Sequence, residues 1–287
     1  MAALNNKVDF AVVFTVTNAN PNGDPLNGNR PRETYDGLGE ISDVCIKRKI
    51  RNRLQDMGEK IFVQMEERSD DGCGSLSERA TANPDLKAAG KNKAQYADAA
   101  CQEWWDVRAF GQVFAFKSGK GEDGSGSGVS VGIRGPVSVH PALSHGPVEI
   151  ESIQITKSVN SEPGDKKSSD TMGAKHRIPF GLYSFCGSIN CQLAEKTGFS
   201  EKDAEKLHEA LRTLFDNDSS AARPEGSMEV CRVYWWQHDC KTGQYSSAKV
   251  HRSLVIKAKT EHPQSFADFD VHVEPLEGLR AQQDDLF

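Results

Sequence analysis

Long hydrophobic runs are missing from this sequence. No stretch of about 18 apolar residues occurs in its 287, which excludes a membrane-crossing helix. No C-x-x-C pair occurs among the seven cysteines, Cys45, Cys73, Cys101, Cys186, Cys191, Cys231 and Cys240. The odd count suits reduced, mostly buried thiols better than a disulfide framework. The spacings of Cys231, His238 and Cys240, and of Cys186 and Cys191, are unlike those of zinc ligands, so no metal or cofactor is expected. The phosphate-loop pattern G-x-x-x-x-G-K-[ST] is also absent, and SGKGEDGSGSG at 118–128 reads as a flexible loop rather than a nucleotide cradle. The start, MAALNNKVDF, lacks the charged and apolar regions of a secretory signal, which leads us to expect a cytoplasmic protein.

Positive charge is not in excess either; the net charge is −6. From Glu261 onward there are seven acids and one base, Arg280, so this segment carries the whole imbalance. The remaining 260 residues hold 34 bases and 34 acids. A neutral body can still present a local basic groove to a polyanion. The acidic end reads as a solvated tail in preference to a strip facing a basic neighbour.

What is present concentrates in residues 8–53. Val8, Phe10, Val12, Phe14 and Val16 alternate with Asp9, Ala11, Thr15 and Thr17, the period of a strand with one face for a core. NANPNGDPLNGNRPR follows, dense in turn residues; Asn22-Gly23 favours positive φ and the prolines stiffen the flanks. Ser42 then caps a helix in which Ile46, Ile50 and Leu54 form a core stripe. Lys47, Arg48, Lys49, Arg51 and Arg53 make the same helix cationic, with Lys47 and Arg51 on a shared outer flank. A buried strand, an exposed loop and a cationic helix in succession suggest a platform for a phosphate backbone.

Beyond this block, residues 66–93 read as a polar, mobile excursion. A second helix is expected over 94–107, with Ala97, Cys101 and Trp104 on one face, leading into DVRAFG. VSVGIRGPVSV and VEIESIQITK read as strands, and the polar stretch up to Thr171 projects into solvent. Ser200 and Asp203 form a capping box before the apolar face Leu207, Ala210, Leu211, Leu214 and Phe215. MEVCRVYWW, AKVHRSLVIKA and residues 269–273 complete the strands. The order approximates β-α-β-β-α-β, an α+β, ferredoxin-like arrangement with helices on one face of an antiparallel sheet.

N-x-N-P-N-G-D-P, KRKIRNRL, DVRAFG and MGAKHRIPFGLY, in this order, resemble the backbone subunit of the CRISPR Cascade complex of subtype I-C, in the Csd-type branch of the RAMP superfamily. The resemblance implies a single RAMP-type domain with a modified RNA-recognition-motif fold. It has a palm at about 1–58, 106–156 and 178–287, helical fingers inserted at about 59–105, and a protruding thumb hairpin at about 157–177. It also implies a protein without chemistry of its own that polymerises along a CRISPR guide RNA. Through the guide it meets target DNA. Its further partners would be the large, small and RNA-processing subunits and a recruited helicase-nuclease, with no membrane involved.

A holder of arbitrary guide sequence must grip phosphate and sugar and leave base edges free. The candidates are Lys47, Arg48 and Arg51 on the first helix; Arg108, beside Gly111, where backbone can approach a ligand; and Lys175, His176 and Arg177, where the polar excursion returns to a strand. Met172 is a candidate wedge between bases. Asn20, Asn22, Gly23 and Asp24 form the loop candidates, with a structural turn as the plainer reading. Two alternatives stand beside this: a metal-dependent ribonuclease using Asp24, as in related type III backbone subunits, and a protein-only interaction module.

Overall fold

The chain, in a computed structural model, is described over residues 4–116, 130–156 and 172–287. The loop expected at 118–128 and most of the excursion expected at 157–177 lie outside the described residues.

The first strand, β1 (Val8–Ala19), is followed by a small hairpin of β2 (Gly23–Asp24) and β3 (Arg30–Pro31), then β4 (Leu38–Ile41) and helix α1 (Asp43–Asp56). Helices α2 (Leu76–Ala82), α3 (Pro84–Ala89), α4 (Lys93–Glu103) and α5 (Trp105–Phe110) precede strands β5 (Gly111–Ala115) and β6 (Ser130–Arg134). Next come β7 (Val137–Val139), β8 (Ala142–Pro147), β9 (Glu151–Thr156) and the long β10 (Met172–Ile189). Then follow α6 (Cys191–Thr197), α7 (Glu201–Arg212), β11 (Met228–Gln237), α8 (Ser247–Arg252), β12 (Leu254–Ala258), β13 (Phe269–Val273) and β14 (Gln282–Asp285).

The main sheet runs β14-β11-β1-β10-β8-β4, with β7 and β9 also paired to β10. Its ladders are antiparallel; Val8 lies opposite Ile189 and Ala19 opposite Ile178 along β1 and β10. Phe10, Val12 and Phe14 pack with Ile46, Ile50 and Leu54 of α1 and with Leu207 and Leu211 of α7. The strand was expected to have one buried face, and here the structure differs. Every residue from Val8 to Val16 is buried. Ala11 and Val13 meet a second core, with Leu182, Tyr234, Trp236, Val250 and Phe269, because α8 and the β12–β13 ribbon cover the sheet opposite the helices.

Four further expectations are corrected. Residues 66–93 are not a mobile excursion but carry α2 and α3, capped by Ser75 and Asn83, while Asn92 caps α4. They form a third core with Phe62, Leu86, Tyr96, Trp104 and Phe114. Their polarity is structural: Arg79 is buried, pairs with Asp71 and donates from Nη1 to the Phe62 carbonyl at 2.9 Å. The helix expected over 94–107 is two helices, broken where Trp104 turns extended (φ −113, ψ 126). The break sends Trp104 into the third core and Trp105 into the main one. The strand expected at AKVHRSLVIKA begins as α8, since Ser246 caps a turn whose single buried residue is Val250. The acidic end is an ordered edge strand, β14, and not a solvated tail. The Ser200–Asp203 capping box forms as expected.

Candidate nucleic-acid interface

The α1 cations turn largely inward. Lys47 pairs with Asp43 one turn earlier at 3.0 Å. Lys49 is buried against Asp218, and burial pulls its ammonium pKa down while the carboxylate opposes the shift. Arg51 donates from Nε to Asp106 at 2.8 Å and lies over the Phe110 ring. Arg53 donates to Thr213 Oγ1 at 2.7 Å. Arg48 donates to the Val63 carbonyl at 2.6 Å and has no carboxylate within ion-pair distance among the described residues. The open flank expected for Lys47 and Arg51 is therefore engaged. The partners of the α1 cations lie up to 169 residues away, for Lys49, beyond the reach of helical periodicity. Asp106 also accepts from the Phe62 and Val63 N–H groups, so Arg51→Met should leave it partly satisfied and lower stability by about 2 kcal/mol in urea unfolding.

Arg108 is likewise inside. It donates from Nε and Nη2 to Asp203 Oδ1 at 3.1 and 2.7 Å. Asp203 is the same residue that closes the capping box of α7. Gly111 allows close approach of protein backbone: a Cβ there would sit 2.2 Å from the Ile133 carbonyl oxygen.

The turn-rich loop is a braced hairpin. Asn20 is buried and donates to the Asn29 carbonyl at 2.6 Å. Asn22 Oδ1 accepts from both the N–H and Oγ of Ser42 at 3.0 Å, which ties the loop to the start of α1. Positive φ falls on Gly28 and Asn29, not on Asn22-Gly23. Gly23 is required for space, because a Cβ would stand 2.0 Å from Asn29 Oδ1. Asp24 caps the next turn by accepting from the Leu26 N–H at 3.1 Å, and Arg32 lies 3.5 Å from it. Among the described residues no group of three or more His, Cys, Asp or Glu is placed to hold a metal ion.

The loop and the second basic cluster, far apart in sequence, meet. Arg30 Nη1 donates to Ser152 Oγ at 2.7 Å, and His176 Nδ1 lies 2.9 Å from the same oxygen. Ser152 and His176 are cross-strand partners in the β9–β10 ribbon, as are Glu151 and Arg177, which form an ion pair at 2.7 Å. Lys175 is exposed opposite Ile153 and has no acid within 4 Å among the described residues. Met172 is 57% exposed at the ribbon's far end, its sulfur accepting from Gln154. Leu26, Tyr35, Val44, Ile153 and Ile155 are also exposed, so apolar surface collects on the loop, the first turn of α1 and the ribbon. The structure thus joins Asn22, Asp24, His176 and Arg177 into one margin of the sheet and leaves Arg51 and Arg108 elsewhere. Arg30 belongs to this margin but escapes sequence reasoning; the one signal is an arginine within a turn-rich stretch.

A family profile described as CRISPR-associated protein Cas7 matches residues 6–274. A CRISPR-associated protein Cas7 of Haloferax volcanii is 32% identical over 219 residues, 70% of this chain and 62% of that protein. The match thus spans about three-fifths of the relative's length. Two solved structures are similar to this chain. One, a CRISPR RNA-guided surveillance complex in a pre-nicking state, gives a TM-score of 0.49 at 15% identity over 84% of this chain and 83% of that one. The other, a CRISPR RNA-guided surveillance complex, gives 0.43 at 16% identity over 80% and 68%.

Proposed function

This chain belongs to the CRISPR-associated Cas7 family, and on that premise we propose that it is a non-catalytic backbone subunit of a type I-C Cascade complex, holding guide RNA. The sheet order β11-β1-β10-β8, with α1 and α7 on one face, supports reading the palm as ferredoxin-like. Copies associate head to tail along the guide, as heterologous contacts that do not close propagate. The other Cascade subunits, target DNA and the recruited helicase-nuclease are its partners in the cytoplasm.

The observation that carries the reading is the Arg30–Ser152–His176 link between the loop and the ribbon. It fixes cations and exposed apolar side chains along one margin, as sequence-independent binding requires: charge for phosphate, apolar surface for base or sugar faces. Arg30, Lys175 and Arg177 are the margin's phosphate contacts in this reading, Arg48 a further one from α1, and Met172 the wedge. Asp24, engaged by Arg32 and the Leu26 N–H and outside any group of three or more His, Cys, Asp or Glu among the described residues, supports the reading without nuclease chemistry.

Co-purification from cells transcribing a repeat-spacer array is expected to yield an RNA of defined length. Arg30→Ala with Lys175→Ala should reduce the salt dependence of binding, lowering the slope of log K against log salt by about 1.4 for two lost single-strand phosphate contacts. An unchanged slope would remove both residues from the interface. Periodic cleavage of complementary RNA in magnesium, lost on Asp24→Ala, would overturn the non-catalytic assignment.

A further inference from the structure

Two charged surfaces take no part in the guide-holding margin. The first is the turn between α3 and α4. Between Asp85 and Asp98 the chain carries Lys87, Lys91 and Lys93 and no acid. All three lysines are exposed, and none is in an ion pair among the described residues. Gly90, at φ 53, turns the chain back between Lys87 and Lys91, and Asn92 caps α4, so the lysines share one tip of the helical insertion.

The second surface is an acidic corner built on β8, β10 and the β12–β13 ribbon. A cavity of about 260 Å3 lies there, lined by Phe180 and Phe269 and by Glu149 and Glu261. Both glutamates are exposed and outside any ion pair among the described residues. No lysine or arginine lines the cavity among the described residues. His145 and His262 do, and burial pushes His145 down to about 4, which leaves it uncharged at neutral pH. The turn at 33–37 abuts this wall, the Val148 N–H donating to the Gly37 carbonyl at 3.0 Å. It adds Glu33 and Asp36, again exposed and unpaired among the described residues, and the fully exposed Tyr35. The cations nearest the corner have acids of their own: Arg32 faces Asp24, Arg177 faces Glu151 and Lys259 lies beside Asp268.

The two surfaces belong to opposite faces of the sheet. The insertion is anchored on the α1 side through Trp105 and Asp106, whereas Phe180, Leu182 and Phe269 pack in the second core. Within one chain no ion pair joins tip and corner among the described residues. Between two copies the opposite charges attract, and a contact made of two different surfaces repeats from copy to copy without closing. A lysine suits the cavity, since its stem can lie on the Phe rings while its ammonium reaches the carboxylates. We propose that the corner receives the α3–α4 tip of a neighbouring copy, with one lysine entering the cavity and the others facing Glu33 and Asp36. The contact rests on the head-to-tail reading and names the surfaces that meet in it.

The test reverses each surface in the full chain. The tip variant carries Lys87→Glu, Lys91→Glu and Lys93→Glu; the corner variant carries Glu33→Lys, Asp36→Lys, Glu149→Lys and Glu261→Lys. Copies bound per guide-length RNA are counted by analytical ultracentrifugation. Either variant alone meets its own copies with like charge and should need at least about tenfold more protein to fill the RNA. An equimolar mixture of the two sets opposite charges at every contact and should assemble as the parent does. Variants that each fill the RNA at the parent's concentration would overturn this contact and leave the head-to-tail reading in place. A tip variant that loses RNA and is not restored by mixing would assign the lysines to nucleic acid, also overturning the proposal. A parent that binds RNA as independent copies would remove the head-to-tail reading, and the contact with it.

Discussion

Asp9→Asn will destabilise this chain by about 3–5 kcal/mol, the usual cost of removing one partner from a buried ion network. Asp9 is fully buried on β1. Its carboxylate lies 2.9 Å from His238 Nε2, 3.0 Å from Lys7 Nζ and 3.5 Å from His251 Nε2. His238 Nδ1 accepts from the Gln244 N–H at 2.9 Å, so the ring proton is on Nε2 and points at Asp9. Without the carboxylate, Lys7 loses its counter-charge in a place that water barely reaches. Burial by itself would raise the Asp9 pKa, but hydrogen bonds from His238, His251, Ser247 and Lys7 outweigh it and hold the carboxyl well below its usual 3.8. The sign follows. A folded-state pKa below the unfolded one gives a contribution that is complete above the unfolded value and is lost as pH falls beneath it. Urea unfolding of the parent and Asp9→Asn from pH 8 down to pH 3 should show a gap that is constant at neutral pH and begins to narrow below about pH 4. A gap that stays constant to pH 3 would show that the carboxylate's ionisation is not what stabilises the fold.

Gly111→Ala is the second large effect. Gly111 adopts φ 78, ψ 170, a region open to glycine and almost closed to other residues. A methyl group there would meet the Ile133 carbonyl at 2.2 Å and the Gly135 N at 2.7 Å. Gly135 is in the same position from the other side, 2.2 Å from the Ala109 carbonyl. The two glycines interlock where α5 hands over to β5 and β6 returns, and a backbone collision has no rotamer to relieve it. Strain and overpacking together should cost roughly 3–5 kcal/mol. At this chain length that is a fall in Tm on the order of 10 °C. Amide exchange should speed first in β5 and β6. A variant melting within about 2 °C of the parent would mean that the α5–β5 junction contributes little to global stability.

Much of the main sheet was readable in the sequence because its signals are local. Alternation marked β1, the Ser42 cap and the Ile46–Ile50–Leu54 stripe marked α1, and the Ser200–Asp203 box marked α7. What was hidden depends on partners distant in the chain. The same residues that made α1 look like a cationic platform are engaged by Asp106, Thr213 and Asp218. The 66–93 stretch reads as a polar, mobile excursion because its helices are capped by Ser and Asn and one of its buried groups is an arginine. β8 escaped because Ala142–Pro147 has little apolar alternation and is held by β4 and β10. For the candidate interface, the loop and the basic cluster were each legible, whereas their junction through Ser152 was not. A hydroxyl in a strand gives no hint of two partners more than twenty residues away in either direction.

The break between Trp104 and Trp105 has a mechanical consequence. Neighbouring residues are anchored in different cores, and the next, Asp106, is gripped by Arg51 of α1 and by the backbone at Phe62 and Val63. Entry to and exit from the helical insertion are thus riveted to one helix within a few residues. The insertion cannot pivot on a hinge of its own; a load applied at its tip is delivered to α1, and through Ser42 and Asn22 to the loop at the sheet margin.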